Sequence, residues 1–319
     1  MASTIKFFLV AFAICIICLA PRKAAAGQVP PSYLVVDSQT GYVLIEQNAR
    51  EKRQIASLTK VATACVVLDW AEKKGGDLSQ LATISQAAFV GVEKNEVGWQ
   101  VGDVVSLRDL LYSALVQSDN LAANALAIRV GETLESAAPA ENSKITAATV
   151  FVAQMNALAK QLGMDRTRFV NPSGFDFKER PMPYSTAIDL ARLTRYAMNK
   201  ASFRFYVSQK EREISFNRGG KQMHALLKTT NDLLGTNGID GVKTGQTARA
   251  GECLILSANR AAEVIKNGDN ATIFPRHLIV VILGSNDRFG DGERLVRQGW
   301  QLYDQWAAAG RLVDPKKIL

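Results

Sequence analysis

The stretch ASLTKVATACVVLDW, residues 56–70, sets the organisation of the chain around it. Its apolar residues recur at helical spacing until Gly75, which predicts a buried helix. Ser57 opens this helix, and Lys60 follows three positions later on the same helix face. Two interpretations are open: a helix cap followed by a solvated lysine, or a nucleophilic serine beside a lysine base.

Short β-branched runs at both ends of the chain predict strands. YLVVD (33–37) and YVLIE (42–46) flank a turn at Gly41 and form a predicted hairpin. Three further strands are predicted later, at IDGVKTG (239–245), ECLILSA (252–258) and HLIVVILG (277–284). The fold class expected is α/β (α+β), with an about five-stranded antiparallel sheet built from both chain ends and an inserted α-helical subdomain.

The middle of the chain is predicted to be mostly α-helical. Helical patterns run from Leu107 to about 130, with a break near Ser118, and cover about 148–162. Another helix follows a Ser/Thr cap at 185–186, and a last helix covers about 292–309.

The first 26 residues have the layout of a signal peptide. A basic start at Lys6 precedes an apolar run at 7–20 and three alanines that end at Ala26. Export to the periplasm or cell envelope, with cleavage near Ala26, is expected; an uncleaved anchor is the alternative. Without residues 1–26 the net charge falls from +8 to about +5, which suits an anionic cell envelope. We expect no nucleic-acid partner.

Two cysteines remain after residue 26, Cys65 and Cys253. They could form one disulfide in an exported protein, but their apolar surroundings favour two buried free thiols. The sequence has no set of Cys and His residues at metal-ligand spacing, and we expect neither a metal nor an organic cofactor.

Two more polar clusters carry possible chemistry, SDN at 118–120 and KTG at 243–245. A lysine acts as a base only when burial or a nearby cation lowers its pKa, so a catalytic Lys60 predicts a second cation close by. Lys243 is the candidate for that cation. The plainer interpretations are an exposed edge-strand lysine at 243 and a simple helix break at 118–120.

The three clusters together, in this order and context, resemble the penicillin-recognising serine hydrolases. S-x-x-K opens a helix after a hairpin, S-x-N lies in the helical block, and K-T-G lies on a strand. Flanking stretches such as FVNPSGFD (169–176) are similar to the low-molecular-mass D-alanyl-D-alanine carboxypeptidases, or low-molecular-mass penicillin-binding proteins. The resemblance implies the β-lactamase/transpeptidase-like fold and a single catalytic domain at residues 27–319.

The resemblance also implies a role for individual residues. Ser57 would be the nucleophile and Lys60 its base, with Ser118 passing protons. Backbone N–H groups of Ser57 and Gln246 would form the oxyanion hole. The implied catalytic set is Ser57, Lys60, Ser118 and Asn120, and the implied substrate-binding set is Lys243, Thr244, Gly245, Gln246 and Arg288.

The implied activity is removal of the terminal D-alanine from peptidoglycan stem pentapeptides through an acyl-enzyme on Ser57. β-Lactam antibiotics would be covalent inhibitors, and the protein would be a monomer. The alternatives are a β-lactamase or a peptidoglycan DD-endopeptidase using the same site, or a non-catalytic peptidoglycan-binding relative. His224 and His277 are expected to be structural, because a Ser-Lys site needs no histidine base.

The sequence departs from the family pattern at several places. Asp119 stands where Gly is more frequent, and Thr230 replaces a frequent Arg before Asn231. Residues about 134–147 look like an insertion. We expect no C-terminal β-rich domain or amphipathic anchor, which many relatives carry.

Overall fold

The computed structural model describes residues 31–75, 77–135, 146–176, 182–267 and 270–319. The predicted signal peptide at 1–26 and most of the predicted insertion at about 134–147 lie outside these ranges. The described strands are β1 (Ser32–Asp37), β2 (Val43–Gln47), β3 (Leu81–Thr83), β4 (Val104–Ser106), β5 (Glu211–Arg218), β6 (Lys221–Lys228), β7 (Ile239–Thr247), β8 (Gly251–Asn267) and β9 (Asn270–Ser285).

The larger sheet confirms the prediction of five antiparallel strands from both chain ends. Its order is β2-β1-β9-β8-β7, so the strand that carries KTG lies at one edge. Alternate side chains of β1 enter different cores: Leu34 and Val36 face the larger core, whereas Val35 packs with Trp300 in the smaller one. The sheet is therefore covered on both faces. β8 and β9 continue well beyond the predicted segments.

A second, four-stranded sheet corrects the prediction of a mostly helical middle. Its order is β3-β4-β5-β6, and β5 and β6 form a hairpin that turns at Gly219 and Gly220, both with positive φ. Ile214 and Phe216 alternate with more exposed residues along β5, which is the period of a half-buried strand. The signal was present, but the many charged residues around it masked the pattern.

Seven helices lie in the described part of the chain: α1 (Lys60–Lys74), α2 (Leu107–Val116), α3 (Asn120–Glu135), α4 (Ala147–Gln161), α5 (Ala187–Met198), α6 (Ala201–Val207) and α7 (Arg288–Ala308). The cap predicted at 185–186 is Thr186, whose side chain accepts a hydrogen bond from Asp189 N. The last helix begins at Arg288 rather than near residue 292. Among the described helices, none combines the length and apolar character that a bilayer crossing needs.

The two cysteines after residue 26 are both free and buried. The favoured prediction of two thiols is confirmed, and the disulfide alternative is wrong. Burial raises the pKa of each thiol, to about 11 for Cys253, so both are poor nucleophiles at neutral pH.

Candidate active site

Ser57 and Lys60 lie together at the start of α1. A 3₁₀ turn at Ala56–Thr59 leads into the helix, and Lys60 is its first residue. Lys60 Nζ lies 2.8 Å from Ser57 Oγ. Lys60 is fully buried, whereas Ser57 is partly exposed. The solvated-lysine interpretation is therefore wrong for this site.

Two further oxygen atoms hold the Lys60 amine. Asn120 Oδ1 accepts from Nζ at 2.6 Å, and the carbonyl oxygen of Ser173 accepts at 2.8 Å. A neutral amine has two N–H donors and one lone pair. When both donors are used on Asn120 and Ser173, the lone pair is left for the hydroxyl hydrogen of Ser57.

The surroundings lower the pKa of Lys60 to about 7, and burial is the main cause. The charge of Asp119 acts in the opposite direction. Lys243 is also buried, and its pKa lies well below the ordinary value because of burial first and the charges of Lys60 and Arg288 second. The charge of Lys60 thus acts on Lys243, which lies near it as predicted, but burial rather than the charge of Lys243 lowers the pKa of Lys60.

The carbonyl of Ser173 was missed by sequence reasoning, although FVNPSGFD was recognised as a family stretch. Asn171 Oδ1 accepts from Gly174 N at 2.7 Å, and its Nδ2 donates to Phe175 O at 2.9 Å, which fixes the turn. Gly174 has φ +81° and lies against the Ala56 carbonyl, where a Cβ would overlap that oxygen. The Asn and Gly of this turn were the available signal.

The SDN cluster forms the turn between α2 and α3. Ser118 has φ +66°, in the left-handed region, and Asn120 is the first residue of α3. This turn directs the Asn120 side chain to Lys60, and Ser118 lines the open cleft above it. The cluster is therefore more than a helix break.

Strand β7, which carries KTG, forms the side of the site opposite the SDN turn. A Cβ at Gly245 would lie 3.1 Å from Ser57 N, so the absence of a side chain there permits the close approach of β7. Lys243 Nζ donates to Thr244 O at 3.0 Å, and Thr244 Oγ1 lies 2.6 Å from Thr230 Oγ1. Lys243 is 1% exposed, which rules out the exposed edge-lysine interpretation.

An open cleft of about 370 Å³ joins these elements. Seven of the nine predicted site residues line it, and the two buried lysines, Lys60 and Lys243, do not. Arg288 Nη1 donates to Gly245 O at 3.2 Å and brings a permanent cation to the cleft. The cleft-lining residues are Ser57, Glu93, Lys94, Glu96, Val97, Gln117, Ser118, Asp119, Asn120, Thr230, Thr244, Gly245, Gln246 and Arg288.

Comparison with known proteins decides the family. The family model for D-alanyl-D-alanine carboxypeptidase matches residues 22–266. The chain belongs to the D-alanyl-D-alanine carboxypeptidase family. Relatives in this family include D-alanyl-D-alanine carboxypeptidase DacC of Escherichia coli, 31% identical over 86% of this chain. The D-alanyl-D-alanine carboxypeptidase of Streptomyces sp. K15 is 30% identical over 77% of this chain.

Solved structures of penicillin-binding DD-peptidases have the same fold as this chain. The crystal structure of Streptomyces K15 DD-transpeptidase superposes with a TM-score of 0.70 at 27% identity, covering 86% of this chain and 98% of that one. Penicillin-binding protein D2 from Listeria monocytogenes, in its cefotaxime-bound form, gives 0.63 at 27% identity, covering 85% and 97%. The β-lactamase/transpeptidase-like fold is therefore confirmed. The chain spans 62% of the length of the Escherichia coli relative and 80% of the Streptomyces relative.

Proposed function

We propose that this protein is a serine-type D-Ala-D-Ala carboxypeptidase that removes the terminal D-alanine from peptidoglycan stem pentapeptides. The observation that carries the proposal is the buried Lys60 amine, with its pKa near 7, placed 2.8 Å from Ser57 Oγ at a cleft beside a sheet edge. Membership of the family supports the same reaction class.

In this proposal the reaction has two steps. Ser57 Oγ bonds to the carbonyl carbon of the D-Ala-D-Ala peptide bond while its proton passes to Lys60. A proton returns through Ser118 to the leaving nitrogen, and D-alanine departs. Water then attacks the acyl-enzyme, and the same amine accepts its proton. The tetrapeptide is released, and Ser57 regains its hydrogen.

The remaining residues would bind the substrate and the developing charge. N–H groups of Ser57 and Gln246 would donate to the oxyanion, because Gly245 brings β7 close to the serine. The free edge of β7 would pair with the peptide backbone. Lys243, Thr244 and Arg288 would receive the terminal carboxylate. Since burial lowers the pKa of Lys243, a bound carboxylate would favour its protonated form.

Localisation and partners belong to the same proposal. A carboxypeptidase for peptidoglycan would act in the periplasm or cell envelope, which is consistent with the signal layout of residues 1–26. β-Lactams would acylate Ser57, and a monomer would suffice because every proposed group comes from one chain.

The decisive experiment incubates the protein and a Ser57→Ala variant with diacetyl-Lys-D-Ala-D-Ala and measures free D-alanine. Release by the parent alone supports the proposal, and equal release by both proteins would sink it. Parallel assays of penicillin hydrolysis and of cross-linked dimer cleavage separate the β-lactamase and endopeptidase alternatives. Fluorescent penicillin tests the remaining alternative, because a non-catalytic peptidoglycan binder would not be labelled.

A further inference from the structure

Asp119, the middle residue of the SDN turn, uses its carboxylate on groups outside the proposed catalytic set. Oδ2 accepts from Trp99 Nε1 at 2.7 Å and from Ser113 Oγ at 2.8 Å. Oδ1 accepts from the N–H groups of Leu121 at 2.9 Å and Ala122 at 3.4 Å, at the start of α3. Both oxygen atoms are therefore occupied, and one side chain connects the turn to a distant segment.

That segment forms one side of the cleft. We call Glu93, Lys94, Glu96 and Val97, which all line it, the cleft wall. Trp99 lies two residues after Val97 and is 2% exposed. Asn95 Nδ2 donates to Trp99 O at 2.8 Å, and Trp99 N donates to Asn95 Oδ1 at 2.8 Å. The Asn95 side chain thus joins the cleft wall to the backbone of Trp99.

The other attachments of this segment lead to the second sheet. The Trp99 ring lies 4.8 Å from the Phe216 ring, between centroids. Arg218 donates to Gly98 O at 2.7 Å and pairs with buried Asp103 at 2.7 Å. An exposed bond from Gln117 to Glu96 at 2.8 Å also reaches the wall. The bond between Trp99 and Asp119, which is partly buried, connects the wall to the SDN turn.

Asp119 has a second, electrostatic relation to the site. Its negative charge raises the pKa of Lys60 and so opposes the larger effect of burial. The charge of Lys60 in turn acts on the Lys243 amine, on β7, and lowers its pKa. Asp119 thus belongs both to the packing of the cleft wall and to the charge balance of the proposed base.

We propose that Asp119 is a positioning residue that couples the cleft wall to the proposed base: one oxygen atom fixes Trp99, and the other holds the start of α3, where Asn120 contacts Lys60. The inference rests on the proposed function and adds that the wall, which lines the same cleft as Ser57, contacts the acyl part of the stem peptide. A wall released from Asp119 would bind that part of the substrate less well. Loss of the charge would change the pH at which Lys60 becomes a base.

Two variants separate these effects. Trp99→Phe keeps a ring against Phe216 and removes only the indole donor. Asp119→Asn removes the charge, and its single acceptor oxygen cannot replace both carboxylate oxygens. Asp109→Asn is the matched control, because Asp109 is also a carboxylate at the start of a helix, in the first turn of α2, and does not line the cleft. Thermal unfolding of each variant identifies any loss of folded protein.

The readouts are KM for diacetyl-Lys-D-Ala-D-Ala and the titration midpoint of Lys60, followed by ¹³C NMR of labelled lysine side chains and assigned with Lys60→Arg. We expect KM to rise about fivefold in Trp99→Phe, the change for a hydrogen bond worth about 1 kcal/mol, with the midpoint unchanged. In Asp119→Asn we expect a higher KM and a midpoint at lower pH. The control Asp109→Asn should lose stability without a change in KM or in the titration midpoint of Lys60.

An unchanged KM in Trp99→Phe, or an unchanged Lys60 midpoint in Asp119→Asn, overturns the coupling. The NMR titration needs no substrate. If the parent protein releases no D-alanine, the proposed function fails, whereas the midpoint comparison still decides whether Asp119 controls Lys60.

Discussion

Acylation of Ser57 should depend on pH with a midpoint near 7, because Lys60 accepts the serine proton only when it is uncharged. Its pKa is lowered to about 7 by burial. With that value, about a tenth of Lys60 is neutral at pH 6 and about nine tenths at pH 8. The limiting acylation rate should therefore rise roughly tenfold between these two pH values.

The assay follows the covalent labelling of Ser57 by fluorescent penicillin at constant ionic strength. At a saturating concentration of the penicillin the measured rate is the limiting rate. This rate no longer depends on how pH affects binding of the carboxylate at Lys243. Lys60→Arg is the control, because its guanidinium remains charged throughout this range. We expect this variant to acylate at least about 10²-fold more slowly, the contribution typical of a general base.

A limiting rate that stays constant from pH 6 to pH 8 would refute the reasoning. So would an Arg variant that labels at the parent rate. A midpoint near 10 would show that Lys60 is solvated in solution and that its burial does not lower its pKa.

Three other predictions test the fold around the site. Gly174→Ala should lower the free energy of unfolding by at least about 2 kcal/mol, because φ at Gly174 is +81° and the added Cβ would overlap Ala56 O. It should also weaken labelling by penicillin. Thermal unfolding and the labelling assay check the two effects. Cys65 and Cys253 should resist thiol reagents until the protein unfolds, and reductant should leave Tm unchanged. Burial lowers the pKa of His277, so the unfolded chain binds the proton more readily than the folded protein does. The free energy of unfolding should therefore fall from pH 7 to pH 5, and it should fall less steeply in His277→Gln. Thermal unfolding at each pH measures the difference.

Local sequence patterns were sufficient for much of the fold. The period of the helix after Ser57 and the β-branched strands at the chain ends predicted α1 and the five-stranded sheet. They failed for the β5–β6 hairpin at 211–228, where charged residues on the exposed face obscured a two-residue period. They also gave short bounds for β8 and β9, whose outer parts expose side chains on both faces.

Sequence by itself predicted most of the residues that meet at the candidate site, but not Ser173. Ser57 and Lys60 share a helix face whatever the rest of the chain does, and the resemblance of the flanking motifs pointed to Asn120, Lys243 and Gly245. Their catalytic roles remain predictions. Only the tertiary structure decided that Lys60 is a buried amine, because its oxygen partners come from positions 60 and 113 residues away along the chain. A pKa depends on the water that the whole fold excludes, and no local pattern encodes that sum.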